Sequence, residues 1–191
     1  MKLLVQLGAR RGTGRGVAWA CAAVLLAGPV ASTARGPEVG RAAPALIAPE
    51  LDGSVFDLAA ERGKVVIVNF WATWCSPCRA EMPQLDSFYR RYHAQGLEVL
   101  GLSVDDRHDR DQVVRVMKTF SYPAALLASA RVNGFGSPMG VPETWVIDSA
   151  GMVRARLLSG LTEQSLAQAV LPLLPQAAAA AQPPGAAPAQ R

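Results

Sequence analysis

Two cysteines separated by two residues, Cys75-Ser76-Pro77-Cys78, carry the most reactive side chains of this 191-residue chain. Their setting decides the chemistry. Val65-Val66-Ile67-Val68-Asn69-Phe70 is β-branched and apolar, as a fully buried central strand should be. It runs through Trp71-Ala72-Thr73-Trp74 straight into the cysteines, and Arg79-Ala80-Glu81-Met82 then reads as helix. Cys75 is thereby expected at a helix N-terminus, where unpaired N–H groups and the helix dipole favour an anion. A thiolate is such an anion, so the Cys75 pKa should fall and its reactivity rise. Cys78, three residues on, lies about one turn round the helix, within bridging distance and more buried. The pair reads as a redox dithiol.

Other uses of two cysteines fit less well. A structural disulfide across so few residues removes little chain entropy and stabilises little. Half of a zinc site would need further ligands, but the remaining cysteine, Cys21, lies in a segment expected to be removed, and His93 and His108 are scattered. Haem attachment needs a histidine directly after the second cysteine, and Arg79 stands there.

The elements that position the dithiol are legible in the rest of the chain. Pro44-Ala45-Leu46-Ile47 and Ser54 to Leu58 are strand-like runs either side of the turn signal Asp52-Gly53. After the central strand, a helix is expected from Cys75 through Leu85, Phe88, Tyr89 and Tyr92 to about Gln95, with Gly96 as its stop and Pro83 as a kink. Leu97 to Val104 is a second buried strand. The charged run Asp105 to Asp111 lacks the spacing of a calcium loop and reads as the solvated start of a helix whose apolar face is Val113, Val114, Met117 and Phe120. Tyr122 to Ala128 is a strand, and a Gly/Pro loop comes next, from Asn133 to Gly140. Thr144 to Asp148 and Val153 to Leu158 form a hairpin at a sheet edge, and Thr162 caps a last helix through Leu174. Early strand–helix alternation closed by a hairpin and a helix implies an α/β fold, a central mixed sheet with helices on both faces.

Composition bounds the rest. The formal net charge of +4 comes from the first fifteen residues: without Lys2, Arg10, Arg11 and Arg15, 15 basic residues face 15 acidic ones. Nothing in that balance suggests a nucleic-acid footprint. Residues 1–34 have the parts of an export signal: a basic segment ending at Arg15, an apolar stretch from Val17 to Ala27, the break Gly28-Pro29, and small residues Ser32-Thr33-Ala34. The apolar stretch is short against the ~20 residues of a membrane span, and an uncleaved anchor is the alternative. Arg10-Arg11 is followed by Gly12-Thr13 rather than an apolar pair, a weak twin-arginine signal. Residues 35–43 are expected as a linker, 44–175 as one domain, and 176–191 as a disordered Ala/Pro-rich tail. An exported location suits a working dithiol that needs a dedicated source of electrons or oxidant.

With these motifs in place, the chain resembles exported thioredoxin-fold proteins of the TlpA/ResA/CcmG (DsbE)-like family. Gly63 to Pro83, with Trp71-Ala72-Thr73-Trp74-Cys75-Ser76-Pro77-Cys78 at its centre, and Gly140-Val141-Pro142-Glu143-Thr144-Trp145-Val146-Ile147-Asp148 carry the likeness in the right order. The resemblance implies a thioredoxin fold with an extra N-terminal β-hairpin and a central αβ insertion. It also implies a cis-proline at Pro142 beside the dithiol, with the Val141 backbone pairing with an extended substrate segment. Glu81 matches an acid kept near the active-site helix, and Glu143 resembles the acid after the cis-proline in the CcmG-like branch. Asn69 stands where cytoplasmic thioredoxins carry a buried aspartate. Catalytic roles are therefore expected for Cys75, Cys78, Glu81 and Glu143, and substrate contacts for Trp74, Ser76, Pro77, Val141 and Pro142. Trp71 is expected in the core.

The residues and the resemblance together imply a thiol:disulfide oxidoreductase with no cofactor or metal beyond the redox-active Cys75–Cys78 disulfide. Its partners would be disulfides of exported proteins, such as apocytochrome c or an oxidase copper-site assembly protein. The resemblance implies a membrane thiol carrier as electron donor; a monomer is expected. The competing class is a copper chaperone on the same fold, but such proteins use Cys-x-x-x-Cys and a distal histidine. A peroxidase would need Thr-x-x-Cys, and Thr73 is only two residues before Cys75.

Overall fold

The computed structural model describes residues 36–158 and 160–175. The expected leader and tail lie outside them.

Strand β3 (Val65–Trp71) is buried along all seven residues because both of its faces are covered. Val65, Ile67 and Trp71 point into one core together with Cys75, Cys78, Met82, Leu85 and Phe88. Val66, Val68 and Phe70 point into the other, against Leu46, Phe56, Phe135 and Trp145. Period-two alternation along a doubly covered strand gives a continuous apolar run, the pattern read from the sequence.

Around it stand β4 (Leu97–Ser103), β5 (Ala124–Leu126), β7 (Glu143–Ile147) and β8 (Val153–Leu158), in the order β5-β4-β3-β7-β8. The β3/β4 and β4/β5 pairs are parallel; β3/β7 and β7/β8 are antiparallel. The sheet is therefore mixed, with β8 at its edge. The N-terminal hairpin β1 (Leu46–Pro49) and β2 (Val55–Asp57) forms as expected, and the two-residue strand β6 (Val132–Asn133) joins it in a second sheet, β2-β1-β6.

Three α-helices complete the described fold: α1 (Ser76–Tyr92), α2 (Arg110–Met117) and α3 (Glu163–Val170). Helix α1 passes through Pro83 without ending there and closes on a 3-10 turn, His93–Gln95. Helix α2 buries Val113 and Met117, and with β5 it forms the expected αβ insertion between β4 and β7. Thr162 caps α3: its hydroxyl accepts from Ser165 N–H while Ser165 Oγ accepts from Thr162 N–H, which satisfies two otherwise orphaned donors.

The C-terminal end of the expected linker is held by backbone bonds. Gly40 N donates to Val153 O, Ala43 N to Gly151 O, and Val153 N to Arg41 O. Residues 40–43 are thus tied to the start of β8. Their Gly/Ala composition hides this, because backbone pairing of this kind needs no particular side chain.

Candidate active site

The sharp turn after β3 puts the dithiol at the C-terminal edge of the sheet. Cys75 is the N-cap of α1, with extended backbone (φ −85°, ψ 98°), and its Sγ accepts from the Cys78 N–H at 3.3 Å. Cys75 and Cys78 form a disulfide. Pro77 occupies the first turn, where a missing N–H costs nothing. Both cysteines are buried, Cys75 at 5% exposure and Cys78 at 2%. Ser76 and Pro77 are exposed beside them.

The two tryptophans divide as their neighbours demand. Trp71 is fully buried under α1, and Trp74 is 69% exposed at the rim. Glycine at position 101 on β4 makes room for the first: a Cβ there would stand 3.2 Å from Trp71 Nε1 and 3.0 Å from the Tyr122 ring. Trp74 and Val141 line one groove of about 330 Å³ with Val104, Leu127, Pro138 and Met139. The Val141–Pro142 peptide bond is cis, as the resemblance implies. Met139, like Trp74, is an exposed large apolar side chain, so the groove mouth is apolar.

Glu81 lies three residues beyond Cys78, on the same buried face of α1. It is 8% exposed, and its Oε2 is buried without a hydrogen-bond partner. An unpartnered carboxylate oxygen on that face is free to accept a hydrogen bond. Tyr122, another buried group without a hydroxyl partner, is no substitute: burial pushes its phenol upward, and it stays protonated.

Glu143 is placed by its register on β7. On β7 it pairs with Phe70, whereas Thr144 pairs with Asn69, so Glu143 and Thr144 face opposite sides of the sheet. Thr144 takes the α1 side and accepts from Asn69 Nδ2 at 2.8 Å. Glu143 takes the far side, where Arg156 Nε donates to its Oε1 at 3.1 Å and the Arg156 guanidinium sits 5.0 Å from the Trp145 ring. The acid after the cis-proline is an ion-paired group on the opposite face, and strand alternation is the reason.

His93 offers no third ligand to the cysteines. His93 follows the 17 residues of α1, roughly 25 Å from its start. His108 is exposed beside Asp109.

One residue near the dithiol escapes the sequence reading. Asp105 is 3% exposed, and its carboxylate accepts from the Thr73 N–H and hydroxyl and from the Ser103 hydroxyl. The sequence groups it with a solvated charge run; its neighbours Asp106, Arg107 and His108 are indeed exposed.

Comparison with known proteins agrees with this geometry. Residues 39–156 match the AhpC/TSA family. The chain is 36% identical over 141 residues to the thiol:disulfide interchange protein DsbE of Yersinia pestis, covering 71% of this chain and 72% of that one. It is 29% identical over 129 residues to the thiol-disulfide oxidoreductase ResA of Bacillus cereus, covering 68% and 75%. Among solved structures it is similar to a secreted thiol-disulfide isomerase from Corynebacterium glutamicum. That likeness has a TM-score of 0.59 at 29% identity and covers 68% of this chain and 83% of the other.

Proposed function

Since the chain belongs to the AhpC/TSA family and is a thiol-disulfide oxidoreductase, we propose that it reduces disulfides in exported proteins through Cys75 and Cys78. The single observation that carries this reading is Cys75 at the N-cap of α1, its sulfur against the Cys78 N–H. The helix terminus that favours an anion is the place a nucleophilic thiolate needs.

In the reduced protein the Cys75 thiolate attacks one sulfur of a substrate disulfide. A Cys75–substrate S–S bond forms and the other substrate sulfur leaves as a thiolate. Cys78 then loses its proton to Glu81 and attacks Cys75 Sγ. The intramolecular disulfide forms, the second substrate thiolate is released, and two electrons have passed to the substrate. A membrane thiol carrier then returns two electrons to the Cys75–Cys78 pair.

The groove between Trp74 and Val141 takes the substrate segment in extended form, with Ser76, Pro77 and Pro142 flanking the reacting sulfurs. Residues 1–34 direct export, either cleaved or kept as an anchor; residues 44–175 act as one domain, as a monomer, without metal or nucleic acid. A relative described as secreted supports the exported location.

The substrate class favoured by the CcmG-like resemblance is the Cys-x-x-Cys-His segment of apocytochrome c. Mixing the reduced protein with such a peptide in its disulfide form tests it. Stoichiometric peptide reduction with formation of the Cys75–Cys78 disulfide is expected. Oxidation of the protein by glutathione disulfide, but not by this peptide, would overturn the assignment and favour copper-site cysteines instead.

A further inference from the structure

We infer that Asp105 is a positioning residue for the nucleophile, tying the turn before Cys75 to the end of β4. The inference rests on the exchange chemistry proposed above.

Strands β3 and β4 end opposite each other, Trp71 against Ser103, and one further bond, Val104 N to Trp71 O at 2.8 Å, extends the ladder. Beyond it the chain leaves the sheet and must reach the N-cap in four residues. Asp105 supplies the support there. Its Oδ2 accepts from Thr73 N at 2.9 Å and from Ser103 Oγ at 2.6 Å, and its Oδ1 accepts from Thr73 Oγ1 at 2.6 Å. Its own N–H donates to Ser103 Oγ at 3.0 Å, which fixes the carboxylate in turn. Three donors on one buried carboxylate form charge-assisted bonds, stronger than neutral ones.

Thr73 lies inside a tight turn, with Cys75 N donating to Ala72 O at 3.1 Å. Holding Thr73 therefore holds Cys75 in the extended conformation that aims its sulfur at the Cys78 N–H. Removal of the carboxylate strands the Thr73 N–H and both hydroxyls without an acceptor, and the turn is free to drift.

Two effects of Asp105 on the Cys75 thiolate oppose each other. A nearby negative charge disfavours the thiolate; correct placement at the helix N-terminus favours it. The other charged groups lining the pocket that Thr73 and Asp105 share, separate from the Trp74–Val141 groove, are Arg79 of α1, Asp109, and Arg115 of α2, and Glu81 lies on the buried face of α1. Thr73→Val leaves all of them in place, so it separates placement from charge.

The test is the pH dependence of Cys75 alkylation by iodoacetamide in the reduced full-length protein, for Asp105→Ala, Thr73→Val and Thr73→Ser. Thermal unfolding is followed in parallel. Placement predicts that Asp105→Ala and Thr73→Val move the Cys75 ionisation upward and slow alkylation at neutral pH about tenfold, as loss of helix-terminus stabilisation does. Thr73→Ser, which keeps the hydroxyl, behaves as the parent. An ionisation that stays put or moves downward in both, whatever the melting temperature does, overturns the inference. If Asp105→Ala does not fold, Thr73→Val alone decides. A parent protein whose Cys75 shows no depressed ionisation would instead overturn the exchange chemistry itself.

Discussion

Replacing Cys78 by serine is expected to turn the protein from a catalyst into a trap. Cys75 keeps its N-cap position and still attacks the substrate disulfide. Without the second sulfur, however, the mixed disulfide has no internal route to resolution. The two cysteines are three residues apart and already bonded in this structure, so the resolving attack is intramolecular and well aligned. Reactions of that kind gain effective concentrations of about 10⁵–10⁸ M over an external thiol. Multiple turnover of Cys78→Ser should fall to background while a one-to-one adduct with the substrate accumulates, visible as a mass shift that dithiothreitol reverses. Cys75→Ser should give neither turnover nor adduct. An adduct carried by Cys78 in that variant would mean that the roles of the two sulfurs are reversed.

The second large effect is expected at Glu81. Glu81→Gln preserves volume and an acceptor oxygen but removes a group able to take a proton. The attack by Cys75 should proceed at its normal rate. Release of the substrate, which needs the Cys78 thiolate, should slow by about 10²-fold or more at neutral pH, the usual range for loss of a positioned acid or base. The defect should shrink as pH rises, because hydroxide and solvent deprotonate Cys78 unaided. Stopped-flow single-turnover measurements separate the two steps. Asn69 cannot share the task, since its amide is committed to Thr144, and Glu143 faces the far side of the sheet. A Glu81→Gln protein that resolves the mixed disulfide at the parent rate and is simply more stable would identify Glu81 as a buried structural acid.

How far the sequence could be read is clearest at the dithiol. A continuous apolar run ending in Cys-x-x-Cys and followed by helix-compatible residues implies a buried strand, a turn and an N-cap, and all three occur at the expected residues. Local rules sufficed there because each step depends on neighbours a few positions away. Glu143 shows where they stop. Two adjacent residues on a strand face opposite sides, and which of them meets the dithiol depends on register with β3, about seventy residues earlier in the chain. Asp105 shows the same limit from the other direction. Its run of charged neighbours is solvated, and its own buried position is tied to Thr73, about thirty residues earlier, as well as to Ser103 at the end of β4. A signal did exist: Asp105 is the first polar group after an unbroken buried strand, the position from which a side chain can still reach back over the sheet end. Strand β6 could not be read at all, because two exposed residues become a strand only by pairing with β1.

That Cys75 and Cys78 form a reducing dithiol is tested most directly by the reduction potential of the couple, measured by equilibrating the purified protein against glutathione buffers. A reducing dithiol gives a reversible two-electron couple at or below the thioredoxin value of roughly −270 mV. A potential towards roughly −120 mV would make the protein an oxidant and reverse the flow of electrons, and the absence of any reversible Cys75–Cys78 disulfide would contradict the exchange chemistry altogether.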